Sequence, residues 1–369
     1  MKILYIANVR LPTDNAHGLQ IMKTCEALAN AGASVTLLHP WRINTIKADP
    51  FDFYKVKRNF RLVTVPSPDT LAFGAIGFWF QNAVFGLGVF VWLLFLKYDV
   101  VYSRDELPLY CATFVARNTV WESHTGRYNG LIKRLLIRIS KLVTITRAGA
   151  AFYEEKGVSP LKILTAHDAV SLEDFSQPQD SQESRKRLSL PADMKIVLYI
   201  GKLEGWKGVE TLCAAAGQMP DDVRVAVVGG ESGEIAELKK KYPKVTFLGW
   251  RPYSELADNQ AAADVLILPN SATSEISARF TSPLKLFTYM ASGKPIVASD
   301  LESLREVLDE TSAYWFKPDD AGDLALKIEY ALAHVQESAE KARIAATEVV
   351  GYTWEARGKA ILAHLQKTT

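Results

Sequence analysis

Two lysines frame a glycine-bounded turn in Gly201-Lys202-Leu203-Glu204-Gly205-Trp206-Lys207-Gly208, directly after the apolar run 196–200. An open α/β sheet presents its ligands where strands end, and two fixed positive charges at such a turn suit a diphosphate. The bland alternative is a solvated turn. A second anion-binding candidate is Thr281-Ser282-Pro283-Leu284-Lys285, which opens the helical pattern ending at Gly293. Ser282 reads as the N-cap, Pro283 as the first helical residue and Gly293 as the closing residue. Such a helix start offers free N–H groups and a positive dipole end to a phosphate. Lys285 in that first turn opposes the dipole. It therefore either points into solvent or marks an anionic partner.

These candidates need strands to carry them. In the first half, strand-like runs at 3–7, 34–38, 100–103, 119–122 and 142–146 alternate with helical patterns such as 19–31. A second set follows at 196–200, 223–228, 245–248, 265–268 and 295–298. Alternation of this kind predicts βαβ units and parallel sheets, with active residues at strand ends. The polar stretch 176–187, with Pro178 and several Ser and Gln, reads as a linker. At 369 residues and 48% hydrophobic content the chain suits two domains. A net charge of +2 gives no electrostatic case for nucleic acid. Cys25, Cys111 and Cys213 are far apart and in no metal-ligand spacing, so a reduced, cytoplasmic setting is expected. The opening Met1-Lys2-Ile3-Leu4-Tyr5-Ile6-Ala7 reads as a first strand rather than a signal peptide.

With those residues quoted, the chain resembles GT-B nucleotide-sugar glycosyltransferases of the large retaining family 4. That family's pattern G-[RK]-L-x-x-x-K-G falls on 201–208, its G-[WYF] turn on Gly249-Trp250, its apolar strand ending in Pro on 265–269. Its M-A-x-G-x-P-[IV]-V stretch falls on 290–297. The resemblance implies an α/β fold of two Rossmann-like domains whose parallel sheets face a central cleft. It places the acceptor domain at 1–172 plus a returning C-terminal helix at 355–369, the linker at 173–192 and the donor domain at 193–354.

The resemblance also implies site roles. His124, at the end of the strand in Trp121-Glu122-Ser123-His124, stands where relatives keep a histidine beside the reacting sugar. A neutral imidazole there could donate to a sugar hydroxyl or to the leaving group. Lys202 and Lys207 take the donor diphosphate. Gly18, Gly201, Trp250, Arg251, Ser282, Pro283, Leu284, Lys285 and Thr288 belong to the donor site, with Trp250 as a core residue being the alternative. His17, Arg104 and Asp105 face the acceptor, and His17 reads equally as a surface turn residue in the loop 9–18. Asp168 marks the interdomain cleft, whereas His167 reads as a plain strand-end residue.

Many relatives carry Glu-x7-Glu, and alignment on Met290-Ala291 puts those two positions at Phe280 and Thr288. Both carboxylates are absent, although a threonine can still make one hydrogen bond to a ribose hydroxyl. Transfer with retention by front-face substitution needs no dedicated protein base. The expected activity is therefore metal-independent transfer of a sugar from a nucleoside diphosphate, UDP favoured, to a glycan or lipid-linked acceptor, with no cofactor. The rival is a degenerate domain that binds nucleotide or a partner without turnover. A non-hydrolysing epimerase shares the fold, but its acidic catalytic residues have no counterparts here.

Residues 70–96 contain no charge and many aromatics. Three readings stand: two consecutive buried helices interrupted by Gly74, Gly77, Gln81, Asn82, Gly86 and Gly88; one membrane span; or an aromatic surface touching an anionic membrane, helped by a basic helix carrying Lys133, Arg134, Arg138 and Lys141. The last reading would place the protein at the inner face of the plasma membrane.

Overall fold

The computed structural model describes residues 1–177 and 179–367; Pro178 of the expected linker and Thr368 and Thr369 of the expected last helix lie outside them. The chain forms two compact units: residues 1–168 joined by the segment from Trp354 onward, and Ala169–Thr353. The first holds seven strands: β1 (Lys2–Ile6), β2 (Ser34–Pro40), β3 (Arg61–Val65), β4 (Val100–Ser103), β5 (Thr119–Ser123), β6 (Lys141–Thr144) and β7 (Ile163–Thr165). Their order is β3-β2-β1-β4-β5-β6-β7, every pair parallel. The second holds β8 (Lys195–Ile200), β9 (Val223–Val228), β10 (Thr246–Gly249), β11 (Val265–Leu268), β12 (Ile296–Ser299) and β13 (Tyr314–Phe316), ordered β10-β9-β8-β11-β12-β13 and again parallel. Both orders reverse direction beside the first strand of the unit, which is the doubly wound arrangement. Central strands such as β6, β11 and β12 are buried along their whole length, as parallel sheets covered on both faces require.

Several local readings change. Strands β3, β7 and β13 were not expected: all three are sheet edges, and β7 and β13 are three residues long, so none leaves a long apolar run. The first helix begins at Ala16, not near Leu19, because its opening turn is polar and invisible to an apolar period. The expected linker is part of the second unit. Helix Ser181–Arg187 buries Arg185, which donates to the carbonyls of Ala262, Ala192 and Met194 and to Asp264.

Residues 74–95 form one continuous helix, not two buried ones. Its glycines serve packing rather than interruption. A Cβ at Gly77 would stand 1.8 Å from the Thr70 carbonyl oxygen, and one at Gly88 2.6 Å from Cγ1 of Val65 on β3. The buried face recurs every fourth residue at Gly77, Gln81, Phe85, Val89 and Leu93, so one side is committed to the unit's core.

The first unit closes through its returning helix, Trp354–Gln366. Gly358 allows this helix to cross Ala16–Asn30 closely, since a Cβ there would lie 2.7 Å from the Ala27 backbone. Arg357 reaches inward to Glu122 Oε1 at 2.9 Å, to the Thr24 hydroxyl and to the His167 carbonyl. Lys141 sits on β6, not on the basic helix Gly130–Arg138. Its ammonium donates to the carbonyls of His364 and Lys367, complementing the dipole of the last helix.

Two predictions follow from this packing. Arg357→Ala strands the Glu122 carboxylate in a buried site, so the variant should lose about 3–5 kcal/mol in denaturant unfolding; a loss under about 1 kcal/mol would show the pair to be solvated. Burial also lowers the pKa of His39, His124 and His167 to about 4 each. Their unfolded value is higher, so the unfolded state takes up more protons and stability falls as pH drops from about 6.5 towards 4. Asp168, raised to about 6 by burial, offsets roughly one of those three protons. Unfolding measured between pH 6.5 and 5 should therefore show stability falling by about 2–3 kcal/mol per pH unit. A flat profile would mean these imidazoles remain hydrated in the fold.

Candidate functional site

In the second unit the chain leaves β8 at Gly201, whose φ of 151° and tight surroundings demand glycine: a Cβ would lie 3.0 Å from the Tyr199 hydroxyl and 3.2 Å from Lys285 Nζ. The turn then closes at Gly208 in the left-handed region, φ 71°, immediately before helix Val209–Ala215. A Cβ at Gly208 would stand 1.7 Å from the Pro269 carbonyl oxygen. The glycines thus fix where the intervening lysines sit.

The three lysines differ sharply. Lys202 is exposed and faces Glu204 at 3.5 Å. Lys207 lies with its Nζ 3.4 Å from the centre of the Trp206 ring, and burial lowers its pKa to about 8, with Glu204 opposing and Lys202 assisting. Lys285 turns inward, not outward. Its Nζ is shielded from solvent, lies 3.9 Å from the centre of the Tyr199 ring and has no hydrogen-bond partner among the described residues. Burial holds it well below the ordinary lysine range, and the neighbouring Lys207 charge adds to that. Ring faces attract an ammonium but accept none of its three hydrogen bonds conventionally. Sequence reasoning paired Lys202 with Lys207; in the structure Lys207 feels the charge of Lys202 and acts in turn on Lys285, which joins the pair.

The helix carrying Lys285 runs Leu284–Ala291, with Pro283 as the capping residue and no side-chain cap; Ser282 is buried one position earlier and is not the N-cap. Leu284 is the first helical residue, and Gly293 has the expected positive φ after the helix. Thr288 is buried, donates to the Lys285 carbonyl at 3.0 Å and accepts from Gln260 at 3.0 Å. That hydroxyl is already engaged twice inside the unit, with one acceptor lone pair left over. Phe280 is buried within the turn Ile276–Phe280. Trp250 is 53% exposed and not core, while the neighbouring Arg251 keeps a buried Nε without a partner among the described residues. One residue was missed altogether: Asn270, just past β11, is fully buried beside Gly208 with both polar side-chain atoms unpartnered among the described residues. Its position directly after a strand end was the available signal.

In the first unit, β5 delivers Glu122 and then His124. Glu122 is completely buried and accepts from Gln20 Nε2 at 2.6 Å, from Arg357, from the Tyr102 hydroxyl and from His124 Nε2 at 2.6 Å. Burial would raise its pKa, yet Arg357 and the His124 bond hold the carboxyl well below the usual range. A carboxylate only accepts, so Nε2 of His124 carries the proton and Nδ1 of the neutral ring is an acceptor. This reverses the expected polarity: His124 can receive a hydroxyl proton but cannot donate to a leaving group. Neither Glu122 nor Arg357 was singled out from sequence.

The acceptor-side residues are tied into the same unit. Arg104 donates to Gln20 at 2.7 Å, and Asp105 accepts from the Asn8 amide at 2.6 Å. His17 lies in the first turn of helix Ala16–Asn30 rather than in a loop. At Gly18 a Cβ would stand 2.2 Å from the Tyr54 hydroxyl, so packing against Tyr54 accounts for that glycine without a ligand. Asp168 is buried beside Arg357 within the first unit.

Comparison with known proteins agrees with this geometry. The family described as Glycosyl transferases group 1 matches residues 194–334. D-inositol 3-phosphate glycosyltransferase 1 of Catenulispora acidiphila is 32% identical over 166 residues, covering 40% of this chain and 38% of that relative. The chain thus spans less than half the length of the curated relatives it matches. Among solved structures, sucrose-phosphate synthase from Thermosynechococcus elongatus superimposes with a TM-score of 0.80 at 21% identity, over 98% of this chain and 97% of the other. Anabaena HepE in complex with UDP-glucose does so at 0.77 and 17% identity, over 99% of both chains. Residues 194–334 thus match the group 1 glycosyltransferases, and the two doubly wound units have the fold of the GT-B glycosyltransferases.

Proposed function

We propose that the protein is a retaining glycosyltransferase that moves a sugar from a nucleoside diphosphate, UDP by preference, to a glycan or lipid-linked acceptor without a metal ion, at the inner face of the cytoplasmic membrane. The observation that carries this reading is Lys285: a buried ammonium with no hydrogen-bond acceptor among the described residues, next to a second depressed lysine. A buried unpaired charge is costly, so its retention points to an anion that completes it. HepE is described with UDP-glucose, which supports uridine as the first base to test. The curated relatives act on inositol 3-phosphate by name, which makes an inositol phosphate a second acceptor class to screen.

In the proposed reaction the bond between the anomeric carbon and the β-phosphate oxygen breaks while the acceptor oxygen attacks from the same face. The departing phosphate oxygen takes the acceptor's proton. Lys207 and Lys285 stabilise the charge that develops on that phosphate, and His124 Nδ1 accepts a hydrogen bond from a sugar hydroxyl. Binding without turnover is the rival reading, favoured by the internal roles of Phe280 and Thr288. UDP binding with no transfer to any screened acceptor would select it.

Calorimetry with UDP, GDP and ADP tests the site. Selective binding to the wild type is expected, and its absence for all three would end the reading. Lys285→Met should abolish UDP binding yet stabilise the ligand-free protein by about 1–3 kcal/mol, since a shielded amine without a hydrogen-bond partner is replaced by an apolar chain. A destabilised variant would mean the ammonium already has partners. Bound diphosphate should return Lys207 to its charged form. Binding should therefore take up protons increasingly as pH rises through about 8, seen in buffers of different ionisation enthalpy, with affinity falling above that pH. Lys207→Ala should cost on the order of 100-fold in turnover. A loss below about threefold would reduce it to a surface residue.

A further inference from the structure

Helix Gly74–Phe95 presents an apolar ridge that nothing in its own unit covers. Ile76, Phe80, Leu87, Val91 and Leu94 recur at three-, four- and seven-residue steps and are 45–83% exposed. They run the length of the helix, about 27 Å from Ile76 to Leu94, with no charged residue from Thr70 to Leu96. Soluble surfaces rarely leave so long an apolar stripe bare.

The neighbouring surface carries one sign of charge. Phe85, Val89 and Leu93 of this helix, Leu109 of helix Glu106–Ala112, and Ile132 and Leu135 of helix Gly130–Arg138 share one core cluster, so the three helices cover the same face of the sheet. On the last of them Lys133, Arg134, Ile137 and Arg138 are exposed. Between Glu106 and Glu154 the chain has seven Lys and Arg and a single acid, Glu122, which is fully buried. We infer that the exposed ridge of Gly74–Phe95 is a monotopic membrane-insertion surface, lying in the plane of an anionic bilayer with helix Gly130–Arg138 on the lipid headgroups.

The geometry favours this occupant over the others. A spanning helix would need all its faces in lipid, but one face here is built into the core, and Gln81 and Asn82 bond to Arg42, Asn8 and Ser67. A second copy docked on the ridge by a two-fold axis would bring two cationic helices towards each other. An anionic bilayer satisfies both the apolar and the cationic features. The inference extends the lipid-linked side of the proposed function, but it is tested without nucleotide.

Full-length protein should float with phosphatidylcholine vesicles containing phosphatidylglycerol at low salt. Trp79, 59% exposed on the same helix, should be quenched by brominated lipid, in a signal lost in Trp79→Phe. The double variant Leu87→Glu, Leu94→Glu should lose at least tenfold in partitioning. Replacing Lys133, Arg134 and Arg138 by Ser should lose about tenfold on anionic vesicles and little on neutral ones. Leu326→Glu, an exposed apolar position in the other unit, should change nothing. Failure of the wild type to float, equal flotation of the Leu87/Leu94 variant, or a wild-type dimer broken by that variant without vesicle binding would overturn the inference. Calorimetry with UDP, GDP and ADP on the same samples separates the two ideas: flotation without binding of any of the three sinks the enzyme reading and leaves this one standing.

Discussion

A buried carboxylate on β5, Glu122, sets the arrangement of the first unit. Taking one charge out of water costs several kcal/mol unless partners replace the lost hydration. Glu122 finds four: an amide from the first helix, a phenol from β4, an imidazole two residues on, and a guanidinium 235 residues away. The last explains why the chain comes back to this unit after completing the other. Without Arg357 the sheet would contain an uncompensated anion; with it, the final helix is as integral to the unit as its first strand. The same network fixes the protonation of His124, because a ring nitrogen facing an anion must carry the hydrogen. A demand of folding thereby determines which ring nitrogen of His124 carries the hydrogen.

The second unit meets the same electrostatic problem and leaves it open. The Nζ of half-buried Lys285 is shielded like the Glu122 carboxylate but has none of its partners, only the face of the Tyr199 ring and a like charge nearby. Folding alone would select an apolar residue at such a position, since charge without compensation is pure cost. Asn270, whose buried amide is unsatisfied at both ends among the described residues, repeats the pattern beside Gly208.

Much of this was legible from local pattern. The long apolar runs at 196–200 and 265–268 had to be central strands, and the glycines at 201 and 208 had to be turns where backbone and side chain crowd together. What escaped reading depended on distant neighbours. Glu122 looked like a strand residue because its importance comes from Gln20, Tyr102 and Arg357. The glycines of 74–95 looked like helix breakers because Thr70 and Val65, the groups they accommodate, lie outside the segment. The internal bond of Thr288 escaped because the Gln260 side chain that donates to it lies 28 residues away. Pro283 was off by one position for a smaller reason: proline is tolerated both as a cap and as a first helical residue, and only its ψ of 127° decides.

The loss of the paired carboxylates at 280 and 288 now reads differently. Both positions are buried and used internally, so neither could be restored to ligand contact by rotating a side chain. What remains near the turn is the amino groups of Lys202, Lys207 and Lys285 against the carboxylate of Glu204, two of them with lowered pKa values and ready to take up a proton when an anion arrives. A carboxylate or other monoanion could neutralise only one of them and would leave the other buried cation uncompensated. A diphosphate carries charge enough for both and oxygen atoms enough for two ammonium groups. In the proposed reaction, with the ribose-side carboxylates gone, recognition would shift from the nucleoside towards the pyrophosphate, the part of the donor on which charge grows during transfer. Interactions that strengthen with that charge lower the barrier rather than merely retaining the ground state.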